Sequence, residues 1–426
     1  MMKTLILGYS NVAVRIAERL CHDGVQVVLM VCHEELPLLE QIRDSHFEAV
    51  PVPLLDPSCL QIETIAPDAV VIATEDEQFN VHAAMEISAI LPEAQVVTRL
   101  FNLAIGNEIE KKLSNVRVLS VSEHAAPFFA AMALYENVVD ARRVADRLEV
   151  RLRDGDDVVS RKADVAELQC ADQIGWCERL PWFNFSTDRL SVAVLAGLFL
   201  VVLAATAYFS MMLAMGWQDA LYFVVTTLTT TGYGDFSLKE APFTAKLVGM
   251  LVMLSGASLF AILFALVTDR IFRARLDFMM GRRKIILSGH VIVCGAGDVG
   301  VRVAESLLLA GVKVVVIERD PDHRFNQQIR ELGIPLVLAD ATLEGTLRMA
   351  GMKHARAVVC ATALDMHNLE IALNARAINH KARTVLRIYD RSFADRIQQN
   401  FSFDAALSSS AIAAPVFARA ATESKA

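Results

Sequence analysis

The sequence predicts a helical membrane domain flanked by two α/β domains. Three observations predict this fold class: two long uncharged apolar runs near the middle of the chain, a strand, glycine loop and helix pattern after them, and a repeat of that pattern before them. The length of 426 residues is enough for two or three domains. A hydrophobic content of 54% and a mean hydropathy of +0.39 indicate that part of the protein lies in a membrane.

The charge and the cysteine content exclude other classes. The formal net charge is −8, so no broad basic surface for nucleic acid is predicted. The seven cysteines are scattered, without a Cys-x-x-Cys pair or a neighbouring histidine cluster. We therefore expect a reducing, cytoplasmic environment for most of the chain and no metal centre built on cysteine.

The first α/β domain is predicted over residues 1–135. Its first residues carry one positive charge before an apolar stretch, as a signal peptide does, but the stretch is too short and leads into Gly8 and a helical pattern. We predict a first strand there that stays in the cytoplasm, and further strands over residues 25–31 and 70–74.

Residues 136–185 are predicted to form a small connecting module. Residues 148–152 alternate apolar and polar side chains like a strand, and Asp154-Gly155 is a turn signal. Aromatic residues then approach the first apolar run, as is typical of a membrane interface: Trp176, Trp182, Phe183 and Phe185. Nothing in this module indicates catalysis.

Two membrane-spanning helices are predicted from residues 190–216 and 247–268, which carry no charged side chain. Each exceeds the roughly 20 residues that cross the hydrocarbon core. Helices buried in a soluble core would keep a polar stripe, which is absent here. Basic residues lie before the first run and after the second run. The loop that connects the two runs holds three acidic residues. Both chain ends are therefore predicted on the cytoplasmic side.

A loop between the two spans carries the most informative motif. Residues 217–229 are too short to cross the membrane but long enough for a re-entrant helix. The octapeptide TTTGYGDF follows at residues 229–236. Irregular backbone at membrane depth is tolerated where it is buried in protein or lines a water-filled cavity, so this loop predicts a pore.

Residues 186–275 resemble the two-helix pore of a potassium channel. By that resemblance the selectivity filter is formed by Thr230, Thr231, Gly232, Tyr233 and Gly234. Dehydrated potassium would be coordinated by the Thr230 hydroxyl and by the carbonyls of Thr230, Thr231, Gly232 and Tyr233. The resemblance also implies filter support from Asp235, Tyr222 and Phe223. Thr231 stands where the family usually has valine, which keeps the carbonyl but changes the packing behind it. One pore needs four such loops, so a homotetramer in the lipid bilayer is implied.

Gly256 lies in the middle of the second span, in Leu-Ser-Gly-Ala-Ser. It resembles the hinge at which the inner helices of such channels bend open. The alternative is a glycine that lets two helices pack closely, since glycine is common in membrane helices. The sequence leaves both open.

The second α/β domain is predicted over residues 289–426, after a gating linker at 276–288. A buried strand at 290–294 precedes Gly-Ala-Gly-Asp-Val-Gly, a helix follows to Leu309, and a second strand ends at Glu318. This is the dinucleotide-binding pattern of a Rossmann-like domain in its required context, with glycines that admit a pyrophosphate and an acid that accepts from ribose hydroxyls. The alternative is a Rossmann turn with a structural role alone.

This domain resembles the RCK (TrkA-N-like) domain, which regulates potassium conductance in bacterial channels and transporters. Asp340 by that resemblance faces an adenine, and Thr362 lies near the nucleotide. The predicted nucleotide site comprises Gly295, Gly297, Asp298, Val299, Gly300, Glu318, Arg319, Asp340, Ala341 and Thr362. The ligand is predicted to be NAD(H) or an adenine nucleotide, because Glu318 disfavours a 2′-phosphate; the sequence does not indicate whether a divalent cation binds.

The N-terminal domain repeats the C-terminal one. Asn80, Arg99 and Pro127 each have a counterpart 288 positions later, at Asn368, Arg387 and Pro415, and Asp56 similarly corresponds to Asp340. The glycine loop of the first copy, however, reads Gly8, Ser10 and Ala13, and Val31 replaces the acid. We therefore predict a structural or dimerising first copy, with an altered ligand as the alternative.

These patterns together predict a ligand-gated, potassium-selective channel of the inner membrane, without catalytic residues. One alternative is a non-conducting, membrane-anchored nucleotide or redox sensor, or a regulatory subunit of potassium transport. A second is an NAD-dependent enzyme, which the fold permits. The chain lacks a recognisable substrate domain with a placed acid and base, so the sequence favours a channel over an enzyme.

Overall fold

The structure is a computed structural model that describes residues 2–32, 47–52, 62–145, 147–155, 157–163, 189–279, 285–389, 391–401 and 403–423. Asp56 and the predicted interface aromatics (Trp176, Trp182, Phe183 and Phe185) lie outside these residues. The chain divides into two compact units. One combines Met1–Gln173 with Lys284–Ala426, and the other is Ile174–Arg283.

The N-terminal α/β domain is built on a six-stranded parallel sheet of order β3-β2-β1-β4-β5-β6. Its strands are almost fully apolar because helices cover both faces of a parallel sheet. The strands are Lys3–Leu7 (β1), Gln26–Cys32 (β2), Glu48–Val52 (β3), Ala69–Ile72 (β4), Gln95–Arg99 (β5) and Val116–Leu119 (β6). The helices are Asn11–His22 (α1), Ile62–Ile65 (α2), Glu77–Ile90 (α3), Leu103–Lys112 (α4) and Val121–Leu134 (α5).

The C-terminal α/β domain repeats this topology, with strand order β12-β11-β10-β13-β14-β15. Its strands are Val291–Cys294 (β10), Val314–Glu318 (β11), Leu336–Leu338 (β12), Ala357–Cys360 (β13), Arg383–Arg387 (β14) and Ala405–Leu407 (β15). Its helices are Asp298–Leu309 (α9), Asn326–Glu331 (α10), Glu344–Met349 (α11), Asp365–Ile378 (α12), Arg391–Phe401 (α13) and Ser409–Thr422 (α14). The predicted fold class, two Rossmann-like domains around a helical membrane segment, is confirmed.

The last helix of each α/β domain packs into the other domain. Helix α5 places Phe129, which is fully buried, in a core with strands β10 and β13 of the C-terminal domain. Helix α14 places Phe417, also fully buried, in a core with β1, β2 and β4 of the N-terminal domain. Each domain therefore depends on a helix from the other half of the chain for one face of its sheet.

A small antiparallel sheet follows the N-terminal domain, with strands Val138–Val144 (β7), Arg147–Asp154 (β8) and Asp157–Lys162 (β9). The predicted strand at 148–152 lies inside β8, and Gly155, with φ of +62°, lies in the turn to β9. Leu148 and Val150 are buried in the same core as helix α5. The sheet is therefore attached to the α/β domains through its central strand.

The described residues of the second unit, 189–279, form three helices: Arg189–Met212 (α6), Trp217–Leu228 (α7) and Phe243–Met279 (α8). Residues Val192–Met212 and Phe243–Asp269 are long and apolar enough to cross a membrane. The short helix α7 contacts both of them through Phe223, Val224 and Leu228, which are buried against the residues Phe209 and Val252 of the longer helices. This places the loop that follows α7 between two spans.

Candidate functional site

The C-terminal end of α7 fixes the start of the TTTGYGDF loop. The backbone N–H groups of Thr231 and Gly232 both donate to the carbonyl of Thr226, at 3.0 and 3.2 Å. The hydroxyls of Thr226 and Thr227 in turn donate to the Phe223 carbonyl, at 3.0 and 2.6 Å. The helix end and the loop therefore form one hydrogen-bonded piece, and the negative end of the helix dipole points to the loop.

The loop backbone alternates between left-handed and ordinary conformations. Thr230, Gly232 and Gly234 have φ of +57°, +53° and +82°, whereas Thr231 and Tyr233 do not have positive φ. An alternation of this kind turns successive carbonyl groups toward the same side of the chain. The left-handed conformation is strained for Thr230, which carries a Cβ, and such strain is typical of functional loops. A row of main-chain oxygens is what a carbonyl selectivity filter uses to replace the water around a cation.

Aromatic side chains pack beside this loop. The Tyr222 hydroxyl lies near the Asp235 carboxylate, and the Tyr222 ring meets the Phe236 ring edge to face at 6.3 Å. Phe223 meets Phe209 of the first span in the same way, at 5.1 Å. Tyr222, Phe223 and Asp235, which are predicted to support the filter, thus each lie beside a residue of the loop, of α7 or of the first span.

Gly256 lies against the end of α7. A Cβ at this position would come within 2.2 Å of Leu228 Cδ2 and 3.2 Å of Leu228 Cα. Helix α8 is continuous through residue 256. The structure thus gives Gly256 a packing function, and its function as a gating hinge stays a prediction.

In the glycine loop of the C-terminal domain, Gly295 and Gly300 are closely packed, whereas Gly297 has open space around it. A Cβ at Gly300 would lie 1.9 Å from the Gly295 carbonyl oxygen, and a Cβ at Gly295 would lie 3.0 Å from the backbone of Thr362. A Cβ at Gly297 would meet nothing within 4 Å. Gly295 also has a φ of +99°. The loop is therefore closed against the sheet but open to solvent at the start of α9, where a pyrophosphate binds in such folds.

Glu318 closes the other side of this loop. Its Oε2 accepts from the Ala296 backbone N–H at 2.7 Å, and its Oε1 accepts from the N–H groups of Arg319 and Asp320 at 2.8 and 2.9 Å. The sequence predicted the acid but not its bond to the loop. Each carboxylate oxygen has a further lone pair, so Glu318 can still accept from a ribose hydroxyl.

Asp340 follows β12 at the same edge of the sheet. Its Oδ1 accepts from the backbone N–H and the hydroxyl of Thr342, at 2.9 and 2.8 Å. These bonds, with the charges of Arg319 and His367, hold the pKa of Asp340 below its ordinary value against partial desolvation. Asp340 therefore presents an ionised carboxylate, which can accept from an amino or hydroxyl group, while Ala341 beside it is buried.

Thr362 lies against the glycine loop at Gly295. Its backbone N–H and hydroxyl bond to Asn368 Oδ1, at 2.9 and 2.7 Å, and its backbone contacts Gly295. The predicted residues thus gather at the carboxyl edge of β10, β11, β12 and β13, as in other doubly wound sheets. Val299 is buried in the first turn of α9 and supports this edge from below.

Four residues near this opening were missed by the sequence analysis. Arg324 is hydrogen-bonded to the Asp298 carboxylate. The Arg324 guanidinium carbon lies 4.5 Å from the Phe325 ring centre and 5.7 Å from that of Phe101, which belongs to the N-terminal domain. The guanidinium carbon of Arg302, in α9, lies 4.9 Å from the centre of the Phe101 ring. The only sequence signal is that Phe101 and Tyr389 occupy equivalent positions, each two residues after the arginine of the repeat.

The loop of the N-terminal domain differs at each of these points. Ser10 caps α1, because its Oγ accepts from the Ala13 N–H at 3.1 Å and donates to the Ala73 carbonyl. Ala13 and Val31, which replace Gly300 and Glu318, are both fully buried. The serine side chain occupies the space that stays open at Gly297.

Comparison with known protein families finds two matches in this chain. The TrkA-N domain matches residues 4–118 and 291–409, which together are more than half of the chain. The ion channel family (Ion_trans_2) matches residues 196–273. The matched ranges correspond to the two α/β domains and to the three-helix unit.

Similar curated proteins include potassium channels from archaea and bacteria. The chain is 26% identical to "Probable potassium channel protein 2" of Methanocaldococcus jannaschii, over 44% of the chain and 56% of that protein. It is 23% identical to "Potassium channel protein 1" of the same organism, over 49% and 64%. A further relative is an "Uncharacterized protein" of Methanothermus fervidus, at 31% identity over 50% of the chain and 34% of that protein. The chain thus spans between a third and two thirds of these relatives.

Solved structures of the GsuK channel share the fold over nearly the whole chain. The structure "GsuK channel bound to NAD" superposes with a TM-score of 0.56 at 12% identity, over 99% of this chain and 63% of that one. The structure of "GsuK bound to ADP" gives a TM-score of 0.55 at 12% identity, over 99% and 69%. At this identity the likeness establishes the arrangement of elements and not the ligand.

Proposed function

Because this chain belongs to the ion channels that carry TrkA-N (RCK) domains, we propose that it forms a potassium-selective pore that a nucleotide at the C-terminal α/β domain opens or closes. The observation that carries the proposal is the loop after α7, in which Thr230, Gly232 and Gly234 alternate in a left-handed conformation behind a helix end. Carbonyl oxygens arranged in this way replace the water around a potassium ion.

Four copies of the chain would surround one pore. In a single chain every residue from Thr229 to Phe236 is exposed, and the Tyr233 side chain is 72% exposed. A loop of this composition at membrane depth requires protein around it, and the chain contains the loop once. A homotetramer supplies that protein and completes the ring of oxygens.

The membrane placement follows from the two spans and their flanks. The chain is a membrane protein with two helices able to cross the bilayer. Basic residues cluster before the first span and after the second span. The positive-inside tendency therefore supports an inner-membrane protein with both termini and both α/β domains in the cytoplasm.

Gating would act through the short connection between α8 and the C-terminal domain. Helix α8 ends at Met279, and by Ile285 the chain is already bonded to the C-terminal domain, through Ile285 N–H to the Met349 carbonyl at 2.7 Å. A ligand shifts such an equilibrium through unequal affinity for the two states. A ~100-fold difference at one site supplies about 2.7 kcal/mol, and four sites together are ample.

The nucleotide is proposed to be an adenine nucleotide or NAD(H). The loop at Gly295, Gly297 and Gly300 is open at the helix start, and Glu318 and Asp340 offer carboxylates at the same edge. The related GsuK structures are described as bound to ADP and to NAD. This proposal assigns no catalytic residue, and a hydride-transfer assay with NAD that shows turnover would contradict that part of it.

The test of the pore is current across a planar bilayer that contains the purified protein. With unequal potassium and sodium on the two sides, the reversal potential should follow the potassium gradient. Gly232→Ala places a Cβ at a φ of +53° in the filter and should abolish the selective current. Gly197→Ala is a matched control, because its Cβ meets nothing within 4 Å in α6, and it should leave the current unchanged. A protein that conducts no ions would favour the non-conducting sensor.

A further inference from the structure

Asp298 places a negative charge at the start of α9. It is the first residue of that helix and follows Gly297, where the loop is open. The backbone N–H groups at a helix start attract phosphate groups. An unpaired carboxylate at the same place repels them, so an accessible Asp298 works against a phosphorylated ligand.

Arg324 neutralises this carboxylate in the structure. Its guanidinium is hydrogen-bonded to Asp298 Oδ1, and the two side chains are 58% and 33% exposed. Ion pairs between exposed side chains contribute little to stability, so this one is easily exchanged. The partner of Arg324, Asp298, directly follows Gly297, where the loop is open.

Aromatic rings from both α/β domains hold Arg324 in this position. The guanidinium carbon is 4.5 Å from the Phe325 ring centre, and the Phe325 and Phe101 rings are 4.7 Å apart. Phe101 comes from the N-terminal domain, and its carbonyl accepts from Arg302 Nη2 at 3.4 Å. A guanidinium over aromatic faces keeps its charge and its donors available to a second partner.

We propose that Arg324 is the residue that makes this site selective for ligands with phosphate groups, by exchanging the Asp298 carboxylate for a ligand phosphate. The inference rests on the nucleotide-binding function proposed above and adds to it the residue that reads the phosphates. Arginine binds phosphate through two parallel N–H bonds, which are stronger than its bond to an exposed carboxylate. Asp298 then competes with the ligand for Arg324.

The exchange has a direct consequence for ligand class. Ligands with a pyrophosphate, such as ADP and NAD, gain the Arg324 contact, whereas a nucleoside does not. The rings that hold Arg324 come from both halves of the chain, so the movement also changes the contact of the nucleotide site with the N-terminal domain.

The test is calorimetric binding of ADP and of adenosine to the purified full-length protein in detergent. Arg324→Gln should weaken ADP binding by about tenfold or more and leave adenosine binding unchanged. Asp298→Asn should strengthen ADP binding by about three- to tenfold, because it removes both the repulsion and the competitor. Arg348→Gln is the matched control, since Arg348 is also 58% exposed and pairs with a carboxylate, Glu344.

Adenosine binding and the unfolding temperature show that each variant is folded. Equal ADP affinities for Arg324→Gln and Arg348→Gln would overturn the inference and leave the nucleotide site standing. An Asp298→Asn variant that binds ADP more weakly than the unaltered protein would also overturn it. Failure of the unaltered protein to bind ADP, NAD or adenosine would instead remove the nucleotide site itself, and this inference with it.

Discussion

The two α/β domains have the same topology but different loops at the position of the nucleotide site. In the C-terminal copy Gly297 leaves open space, and Gly300 has no room for a side chain. In the N-terminal copy the Ser10 hydroxyl fills the open space and Ala13 is accommodated. The same topology therefore forms with and without the three glycines. We infer that the open space at Gly297 in the C-terminal copy is for a ligand, since fold and site vary independently.

A hydrogen-bond network around one asparagine is the same in both α/β domains. Asn80 bonds to Thr74 and to the Arg99 carbonyl, and its counterpart Asn368 bonds to Thr362 and to the Arg387 carbonyl. Since the copy without the glycine loop keeps this network, it fixes the ends of β4 and β13 and does not by itself make a ligand site. This argues that Thr362 shapes the site.

The largest expected effect concerns α5 and α14, the two helices that each pack into the other α/β domain. Phe417→Ala should lower the free energy of unfolding by about 3–5 kcal/mol and loosen the N-terminal domain first, because that ring is fully buried there. Phe129→Ala should do the same to the C-terminal domain. Hydrogen exchange measured by mass spectrometry would show which sheet opens. If protection were lost only in the domain to which the substituted helix belongs in sequence, the packing of α5 and α14 into the opposite domains would be contradicted.

The next effect concerns the glycine loop. Gly300→Ala forces a Cβ against the Gly295 carbonyl and should cost about 1–3 kcal/mol of stability, with loss of ADP binding in calorimetry. The reciprocal change in the other copy, Ala13→Gly, should leave ADP binding unaltered because Ser10 still fills the loop. If Gly300→Ala binds ADP as well as the unaltered protein, the two loops do not differ as described.

A pH effect on stability is expected from His290 in the C-terminal copy. His290 is fully buried at the start of β10, where its Nε2 donates to the Ala350 carbonyl at 2.9 Å. Burial lowers the pKa of His290 against that bond, and the charges of His354 and Lys313 lower it further. The equivalent position in the N-terminal copy is occupied by Lys3.

The sign follows from proton uptake on unfolding. Below about pH 6.5 the unfolded chain binds a proton at His290 that the folded chain does not, so stability falls with decreasing pH. The loss approaches about 1.4 kcal/mol per pH unit for one group. Urea unfolding of His290→Gln between pH 5 and pH 7 should show a smaller loss than the unaltered protein. Identical pH profiles would exclude His290 as the cause.

The smallest expected effect is at the helix cap of the N-terminal copy. Ser10→Ala removes the acceptor for the Ala13 N–H and should cost about 1 kcal/mol, measured by chemical unfolding. The corresponding C-terminal residue, Gly297, makes no side-chain cap, so Gly297→Ala should change stability less and ADP affinity more. A reversed order of the two stability losses would contradict the comparison.

The sequence predicted what depends on local patterns. The apolar runs of β1, β10, α6 and α8, the turn at Gly155 and the position of Glu318 are all visible over a few residues. The second strand of the C-terminal domain begins at Val314, because Val312 still bonds back to Leu307 at the end of α9. Strand β7 went unpredicted because its side chains do not alternate in burial.

Other features depend on contacts between distant residues and had no local signal. The exchange of α5 and α14 joins the two halves of the chain, and Arg302 meets Phe101 across 201 positions. Likewise, the sequence left Gly256 open between a hinge and a packing residue, and only the position of Leu228 shows why a side chain does not fit there. The assigned functions of the filter and nucleotide residues stay predictions.

The most direct test of the central claim is the effect of ADP on single-channel open probability in a planar bilayer. With ADP on the side of the α/β domains, open probability of the unaltered protein should change severalfold. Glu318→Val, which copies Val31 of the N-terminal domain, should need a few-fold to a hundred-fold more ADP for the same change, through loss of a charged hydrogen bond. A potassium current that ADP and NAD leave unchanged at millimolar concentration would contradict the account.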